Sequence, residues 1–368
     1  MIRLETRGSS KKKIVLGMSG GIDSSISLIL LKRMGFDPVG VSLKLPVWQN
    51  EKNLLRENNC CTIESLDSAK MICSKFDVPY YQIDVKKDFQ KNVIDYFLEE
   101  FSNERTPNPC FICNRTLKFH HLLKFAEQNN IEYVATGHYA NIIHNKSNDC
   151  NELHKAGDAK KDQSYYLAFL KKEWLSKIIF PTGNYPKEKI YKIAEENSLH
   201  ELTNKKESQD FCFVAGKSLF FFLKEKLGDK KGEIVHINGK ILGEHRGIHY
   251  YTIGQRKGLN TPWNSPLFVM KLDKENNEVI VTDNPDDLLS QNFSVAKMNW
   301  LVDSEREDLS KIQVQVRYNS YPLSIKKINI EENEVNVILT KPHRAITPGQ
   351  AAVFYRDDLV LGGGLIKG

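Results

Sequence analysis

A short run of small and polar residues, GMSGGIDSS from Gly17 to Ser25, directly follows the apolar segment IVL. Ser19, Gly20 and Gly21 let the backbone approach an anion closely, and the N-terminus of a following helix adds positive potential. The run has no Lys-Ser or Lys-Thr after its glycines and no G-x-G-x-x-G spacing, so it matches neither familiar phosphate fingerprint. It predicts a phosphate-binding turn of another kind, with the Asp23 carboxylate beside the ligand.

Three of the seven cysteines are also candidates for chemistry. Cys110 and Cys113 form a C-x-x-C, a spacing that zinc, redox and iron–sulfur sites share. The two prolines of the segment stiffen it and predict a shaped loop. Cys212 stands between two phenylalanines after the polar run 207–210, which favours a loop at a site over a core thiol. The other four are interpreted as buried or incidental thiols: Cys60, Cys61, Cys73 and Cys150.

Composition limits the class of protein. The 368 residues suffice for two or three domains, and 40% hydrophobic content is ordinary for a globular fold. No run reaches the roughly 18 apolar residues of a membrane span, and the N-terminus lacks the apolar core of a secretory signal. With an odd cysteine count, this predicts a cytoplasmic protein without a disulfide framework. The net charge of +6 permits a polyanionic partner and equally fits an ordinary basic enzyme.

Alternating strand and helix patterns surround the Gly17–Ser25 run. Residues 13–18 are predicted as a buried strand, 24–34 as a helix capped by Gly35, and the segment from Pro38 as the next strand. The alternation continues to about residue 203 with helices near 66–76, 89–101, 174–178 and 186–196. It predicts a doubly wound parallel-sheet α/β domain, in which ligands bind at the carboxyl ends of the strands.

The pattern changes near residue 204. A helical segment SLFFFLKEKLG is followed by short strands, with an Asn-Gly hairpin turn at Asn238–Gly239. From about residue 286 the chain is nearly all alternating strand, which predicts a small barrel or sandwich. The polar stretch after residue 143 is predicted to be a loop or short hairpin within the first domain.

The motifs together resemble one family. SGGIDS resembles the pyrophosphatase loop of enzymes that cleave ATP between the α and β phosphates and use AMP as an activating leaving group. The series resembles the tRNA-specific 2-thiouridylases over nearly the whole chain. Its other members are TPNPCFICNRTLKF, ATGHYA, KDQSYYL, ESQDFCFV, HRGIHYYTIGQRKGL, VQVRYN and AITPGQAAVFY.

The resemblance implies an ATP-dependent tRNA-uridine 2-sulfurtransferase with three domains. These are an ATP pyrophosphatase domain at 1–203, a small mixed central domain with the second cysteine at 204–285, and a C-terminal tRNA-binding β-barrel at 286–368. The implied product is 2-thiouridine at the wobble position, number 34 of the tRNA, with AMP. The implied cofactor is ATP with Mg²⁺. The implied partners are the tRNAs for Lys, Glu and Gln and a protein that donates persulfide sulfur, with no membrane.

Residue roles follow from the resemblance by matching position. Cys113 is the implied nucleophile and Cys212 the persulfide carrier. The ATP-binding positions are Gly17, Met18, Ser19, Gly20, Gly21, Ile22, Asp23, Ser24, Leu43 and Gly137. The target-base segment is Asn108, Pro109 and Cys110. The tRNA contacts are His138, Lys161, Asp162, Gln163, Arg317, Tyr318 and Gln350. Many relatives have Met at the Leu43 position, and some have Asp at the Cys110 position.

Three alternatives stay open at the level of sequence. A different pyrophosphatase-loop ligase or amidase would give Cys113 and Cys212 no role. A [4Fe–4S] cluster on Cys110, Cys113 and Cys212, with one iron left open for sulfide, would make the same product. An RNA-binding module without catalysis would leave the ATP loop unexplained.

Overall fold

The computed structural model describes residues 11–53, 63–203, 211–303, 311–318, 320–331, 334–344 and 346–367. By their contacts they form two units. The first contains residues up to Val93, Cys110–Ser218 and Asp358–Leu361, and the second contains Ile94–Pro109, Leu219–Asp357 and the residues from Gly362 onward. The predicted domain boundaries at 203/204 and 285/286 stay predictions.

A parallel sheet forms the centre of the first unit. Its strands are β1 (Lys13–Gly17), β2 (Asp37–Lys44), β3 (Tyr80–Asp84), β4 (Tyr133–Thr136) and β7 (Ile178–Ile179). Their order is β3-β2-β1-β4-β7, all parallel. The order reverses beside β1, so a crevice lies at the carboxyl ends of β1 and β4, where open α/β sheets bind ligands.

Helices cover both faces of this sheet. They are α1 (Ile22–Arg33), α2 (Ile63–Lys75), α3 (Lys86–Phe89), α5 (Pro109–Cys113), α6 (Phe119–Gln128), α7 (Ser164–Leu167), α8 (Lys187–Glu196) and α9 (His200–Thr203). Ile14 and Leu16 pack with α1 and α8 on one face, while Val15 packs with α6 on the other. Because both faces are buried, the strand reads as a continuous apolar run. The predicted doubly wound domain is confirmed.

Two of the predicted helices differ in detail. The helix expected at 89–101 is interrupted by a π-helical turn, Gln90–Ile94, and continues as α4 (Asp95–Ser102). The short helix expected near residue 174 is a 3₁₀ turn at Lys172–Lys177. The polar stretch after residue 143 lies in a hairpin of β5 (Asn141–Asn145) and β6 (Cys150–His154), as one of the two predicted alternatives.

The second unit contains a small mixed sheet. It is built from α10 (Leu219–Leu227), β8 (Gly232–His236), β9 (Ile241–His245), β10 (Phe268–Asp273) and β11 (Glu278–Thr282). The order is β10-β11-β8-β9, with β8 and β11 parallel and the other pairs antiparallel. The predicted turn at Asn238–Gly239 joins β8 to β9, and Gly239 has the positive φ of +88° that this turn needs.

A β-barrel follows, in the same unit except for the first three residues of its last strand. Its strands are β12 (Leu289–Trp300), β13 (Gln313–Gln315), β14 (Leu323–Ile330), β15 (Glu334–Arg344), β16 (Ala351–Arg356) and β17 (Leu359–Ile366). The order β12-β15-β14-β13-β16-β17 closes because β12 also pairs with β17. Of the two folds predicted for this region, a barrel or a sandwich, the structure therefore shows the barrel. Among the described residues no helix is both long and apolar enough to cross a bilayer.

Candidate active site

The run after β1 is a tight turn that leads straight into α1. Gly21 precedes the helix in an extended conformation, and no side chain caps it within the described chain. The Ser19 amide donates to Ser24 Oγ at 3.2 Å, and that hydroxyl donates to the Gly21 carbonyl at 3.0 Å. The turn is thus ordered by its own serine, while the first-turn amides of α1 stay available to an anion.

Two predicted positions require glycine for lack of space. Gly20 has a φ of +75°, and a Cβ there would overlap the Ser65 carbonyl. At Gly137, just after β4, a Cβ would lie 2.7 Å from the Asp23 carbonyl carbon and 2.8 Å from the Ser24 amide nitrogen. The segment after β4 therefore packs directly on the start of α1 because Gly137 carries no side chain, and the loop packs closely on α2 because Gly20 carries none.

Gly137→Ala should push the loop away from this packing. We expect ATP affinity to fall by about 10- to 100-fold, since overpacking a tight contact costs about 1–3 kcal/mol. Titration calorimetry with ATP measures the effect. Gly157→Ala is the matched control, because its Cβ would lie no closer than 3.4 Å to any atom, an ordinary contact. Equal affinities in the two variants would show that the loop does not depend on this contact.

The Asp23 carboxylate is held by two side chains that the sequence analysis did not single out. Lys187 Nζ lies 2.7 Å from Asp23 Oδ1, and the Tyr139 hydroxyl donates to the same oxygen at 2.6 Å. Lys187 is only 5% exposed, and its ammonium lies 5.4 Å from the ring centroids of Tyr139 and Tyr191. A buried ammonium thus fixes the orientation of the carboxylate and brings positive charge to the loop.

The sequence does contain a signal for Lys187. It is the first residue of α8, where the helix dipole disfavours a cation. A buried lysine at the N-terminal end of a helix needs an anionic partner. The sequence pattern alone does not reveal that this partner is Asp23, 164 positions away.

Hydrogen bonds join the start of the loop to the neighbouring strand. The Met18 amide donates to the Val41 carbonyl at 2.8 Å, and Ser42 Oγ donates to the Met18 carbonyl at 2.6 Å. Leu43 is half-buried near the carboxyl end of the same strand. These contacts place Leu43 and the loop at the same edge of the sheet, and the implied ATP contact of Leu43 stays a prediction.

Cys110 and Cys113 lie on α5, the helix that starts at Pro109, so the shaped loop predicted for them is wrong. Asn108 is a residue type favoured before a helix, and proline suits the first helical position because its missing N–H would have no partner there. Cys110 is exposed, whereas Cys113 is 4% exposed. The helix then passes through a π-helical turn, Asn114–Lys118, before α6. Such turns are frequent at functional sites.

Asn114 directly follows Cys113 and is buried. Its amide Nδ2 donates to the Tyr166 carbonyl at 3.1 Å, while its Oδ1 has no hydrogen-bond partner among the described residues. Phe111 stacks on Phe169 with centroids 4.5 Å apart. The KDQSYYL segment is thus packed along the cysteine helix, and a buried acceptor without a partner lies next to the candidate nucleophile. No role for Asn114 can be predicted from the sequence motif that contains it.

Cys212 is half-buried in an irregular segment of the first unit. The ring centroids of Phe213 and Phe89 lie 5.8 Å apart. The backbone carbonyl of Phe213 accepts from the Trp48 amide at 3.1 Å. The Ala215 amide donates to Asn53 Oδ1 at 3.2 Å. The predicted loop location of Cys212 is confirmed from residue 211 onward, and the polar approach at 207–210 lies outside the described residues.

The described cysteines are all thiols rather than disulfides. Cys73 is fully buried in the core, as predicted, and this burial raises the pKa of its thiol to about 12. Cys150 is half-buried on β6, and Cys60 and Cys61 lie outside the described residues. In the part of the chain that the structure describes, no three His, Cys, Asp or Glu side chains are grouped to hold a metal ion.

His138, an expected tRNA contact, lies among aromatic rings. Its Nδ1 is 2.8 Å from Thr136 Oγ1, and its ring centroid is 5.8 Å from that of Phe119. Burial, helped by the charge of Lys118, lowers the pKa of His138 to about 3. The imidazole is therefore neutral at pH 7, so an RNA contact here involves no histidine charge.

The neighbouring predicted contacts bond within the protein. Asp162 Oδ1 accepts from the Ala156 and Ser164 amides at 2.9 and 3.2 Å, and burial raises the pKa of Asp162. The side-chain oxygen Gln163 Oε1 accepts from the backbone amide of Tyr139 at 3.0 Å. The backbone amide of Gln163 donates to the backbone carbonyl of Tyr139 at 2.8 Å. Gln163 thus supports the tyrosine that binds Asp23. Direct tRNA contact by these residues and Lys161 stays a prediction.

The second unit brings together residues from two predicted groups. Arg317 Nη2 donates to Thr347 Oγ1 at 2.7 Å, and Gln315 Nε2 donates to the Tyr318 carbonyl at 2.6 Å. Gln350 Nε2 donates to the Thr106 carbonyl at 2.8 Å, two residues before Asn108. Predicted tRNA contacts of the barrel therefore lie beside the predicted target-base segment, although these segments are far apart in sequence.

The fold and the loop together define a class, an α/β nucleotide-binding domain joined to two β domains. Three family models match it in order. They are the tRNA methyl transferase HUP domain at residues 12–216, the tRNA methyl transferase PRC-barrel domain at 221–283 and the aminomethyltransferase beta-barrel domain at 290–366.

Curated relatives match over nearly the full length. The tRNA-specific 2-thiouridylase MnmA of Lachnoclostridium phytofermentans is 40% identical over 96% of this chain and 99% of its own. That of Carboxydothermus hydrogenoformans is 39% identical over 97% of this chain and 98% of its own. The chain belongs to the tRNA-specific 2-thiouridylase family.

Proposed function

We propose that the protein catalyses ATP-dependent 2-thiolation of the wobble uridine of tRNA, with AMP and pyrophosphate as by-products. The observation that carries the proposal is the loop after β1, with Asp23 held by Lys187 and Tyr139, in the same unit as the thiols of Cys113 and Cys212. An activating nucleotide site and two thiols are the two requirements of this reaction. Family membership supports the same conclusion.

The first step activates the base. The C2 oxygen of uracil is a poor leaving group and must first be activated. It attacks the α-phosphorus of ATP, pyrophosphate leaves, and the N3 proton of the base is lost. The amides of the loop and the first turn of α1 bind phosphate oxygens, and Lys187 stabilises their charge. A Mg²⁺ ion bound with ATP would be held by phosphate oxygens and one or two carboxylates, and it would neutralise phosphate charge. Asp23, with a side chain 34% exposed at the loop, fits that need.

The second step transfers sulfur. The terminal sulfur of a persulfide on Cys212 bonds to C2, and AMP leaves with the former uracil oxygen. The Cys113 thiolate attacks the Cys212 sulfur, so the sulfur–sulfur bond breaks and the sulfur stays on the base as the thione. The two cysteines are oxidised to a disulfide as the sulfane sulfur is reduced. A thiol reductant then restores both thiols for the next cycle.

The RNA is held mainly through charge and shape. A wobble base is unpaired, so moving it into a pocket costs little beyond unstacking. We assign Asn108, Pro109 and Cys110 to the target base and Arg317 and Tyr318 to the RNA, consistent with the net charge of +6. The substrates are the tRNAs for Lys, Glu and Gln, and the sulfur comes from a persulfide-donating protein in the cytoplasm.

The test is a reconstituted reaction with an unmodified transcript of tRNA-Glu, ATP, Mg²⁺, a cysteine desulfurase with cysteine as the source of persulfide sulfur, and dithiothreitol. We expect about one AMP per 2-thiouridine, measured by nucleoside mass spectrometry and nucleotide chromatography. A transcript with cytidine at position 34 is the control and should yield neither product. AMP formation with a product other than thiouridine would assign the chain to another ligase chemistry, and no AMP at all would support a binding module.

A further inference from the structure

A turn of the barrel forms hydrogen bonds with the loop that precedes the target-base segment. The Thr106 amide donates to the Pro348 carbonyl at 2.8 Å, and Gln350 Nε2 donates to the Thr106 carbonyl at 2.8 Å. Both backbone polar groups of Thr106 are therefore held by one turn, Thr347–Gln350. Gly349 lies against the same residue with a φ of +86°, and a Cβ there would be 2.8 Å from Arg105 Cβ. The fit leaves no room for a side chain.

The turn itself is fixed within the barrel. The Gly349 amide donates to the Ile366 carbonyl at 3.0 Å, and the Ile366 amide donates to the Gln350 carbonyl at 2.9 Å. Thr347 is 1% exposed, and its hydroxyl is bound by Arg317 Nη2 at 2.7 Å. The turn is thus attached to the last strand on one side and to a predicted RNA-contact residue on the other.

The loop is anchored just before Thr106 as well. Arg105 forms a bidentate pair with Glu100, with distances of 2.7 and 2.6 Å, and the Glu100 side chain is buried. The Arg105 amide also donates to the Glu100 carbonyl at 2.9 Å. Backbone and side-chain bonds on consecutive residues leave this part of the chain little freedom. The predicted base-contact residues Asn108 and Pro109 lie two and three positions after Thr106.

We propose that the Thr347–Gln350 turn is a clamp that sets the position of the target-base segment, and that Gln350 is a positioning residue acting through Thr106. This deepens the proposed function and rests on it. In the clamp one N–H of the Gln350 side-chain amide binds the protein backbone, and it is through this bond that Gln350 acts on the target-base segment. Arg317 stabilises the clamp through Thr347, which links the RNA-binding side of the barrel to the alignment of the base.

The experiment separates positioning from RNA binding. Gln350→Met keeps the length of the side chain but removes the donor to Thr106. We expect kcat at saturating tRNA to fall by about 10- to 100-fold, because an ångström-scale misplacement of reacting groups can cost that much. The Kd for tRNA in filter binding, and its salt dependence, should stay within about twofold of wild type, since no phosphate contact is lost. Hydrogen exchange should accelerate in a peptide spanning 101–110.

A matched control is available in the same barrel. Gln291 Nε2 donates to the Leu339 carbonyl at 2.7 Å, the same kind of bond, away from the clamp. Gln291→Met should keep kcat and leave exchange in 101–110 unchanged. Gly349→Ala is the second variant, and it should reproduce the kcat loss by pushing on Arg105.

The outcomes are distinct. Unchanged kcat in both Gln350→Met and Gly349→Ala, with an active wild type, would overturn the clamp. A weaker tRNA Kd in Gln350→Met without altered exchange would instead make Gln350 a direct RNA contact and also overturn it. An inactive wild type would count against the proposed function itself, since the exchange measurement tests the clamp without any turnover.

Discussion

Cys212→Ser should make no 2-thiouridine, a loss on the order of 10³-fold or more, because the persulfide carrier is absent. Cys113→Ser should still accept sulfur on Cys212 but should fail to turn over unless dithiothreitol releases the sulfur. Mass spectrometry of the intact protein detects the persulfide, and nucleoside analysis detects the product. Each variant is assayed with and without reductant.

Two further cysteines provide the controls for this experiment. Cys150→Ser, on β6, should match wild type. Cys110→Ser changes an exposed thiol on the cysteine helix, and a persulfide pair should survive it with reduced activity. Complete, reductant-independent loss in Cys110→Ser together with loss of bound iron would establish the cluster instead. Full activity in Cys212→Ser would refute the persulfide role.

Lys187→Met should lower the rate of AMP formation by about 10²-fold or more while tRNA still binds. The substitution removes the ammonium 2.7 Å from Asp23 Oδ1 and the positive charge that it brings to the loop. Losing one preorganised charge at a reacting phosphate typically costs 10²- to 10³-fold in kcat. Production of AMP from radiolabelled ATP with saturating tRNA measures the effect. Tyr139→Phe, which removes only the second bond to the same oxygen, should cost less, about tenfold.

Lys189 supplies the control on the same helix. It is exposed, and its ammonium lies 5.7 Å from the Tyr185 ring rather than at the loop. Lys189→Met should keep wild-type AMP formation. Removing one partner of a buried ion pair can cost about 3–5 kcal/mol of stability, so all assays are run well below the measured Tm of each variant. Wild-type rates in Lys187→Met would show that Asp23 needs no lysine.

Local patterns were sufficient wherever the structure depends on neighbours in sequence. The apolar run of β1, the turn into α1 and the hairpin at Asn238–Gly239 are all confirmed because chain geometry and local sterics decide them. The motif series also led to the correct family. The alternating strands after residue 286 left barrel and sandwich open, because only the pairing of β12 with β17 closes the sheet.

The π-helical turns show where periodicity reaches its limit. Gln90–Ile94 interrupts a helix whose apolar spacing predicts regular turns, and Asn114–Lys118 lies between α5 and α6, where no helix was predicted. An inserted residue shifts the hydrogen bonds without removing the amphipathic face, so the sequence pattern hardly changes. The second of these turns directly follows Cys113 and contains the buried Asn114. Asn114 belongs to the motif TPNPCFICNRTLKF, but the motif gave no indication of its role.

The sequence by itself determined the class of fold, the nucleotide loop and the family. Tertiary structure alone decided which distant residues complete each site. Lys187 meets Asp23 across 164 positions, and Gln350 meets Thr106 across 244. Residues 94–109 group with the barrel rather than with the α/β unit that flanks them in sequence. Contacts of this kind arise from the packing of whole elements against one another, and no local propensity or spacing encodes which partner a side chain finds.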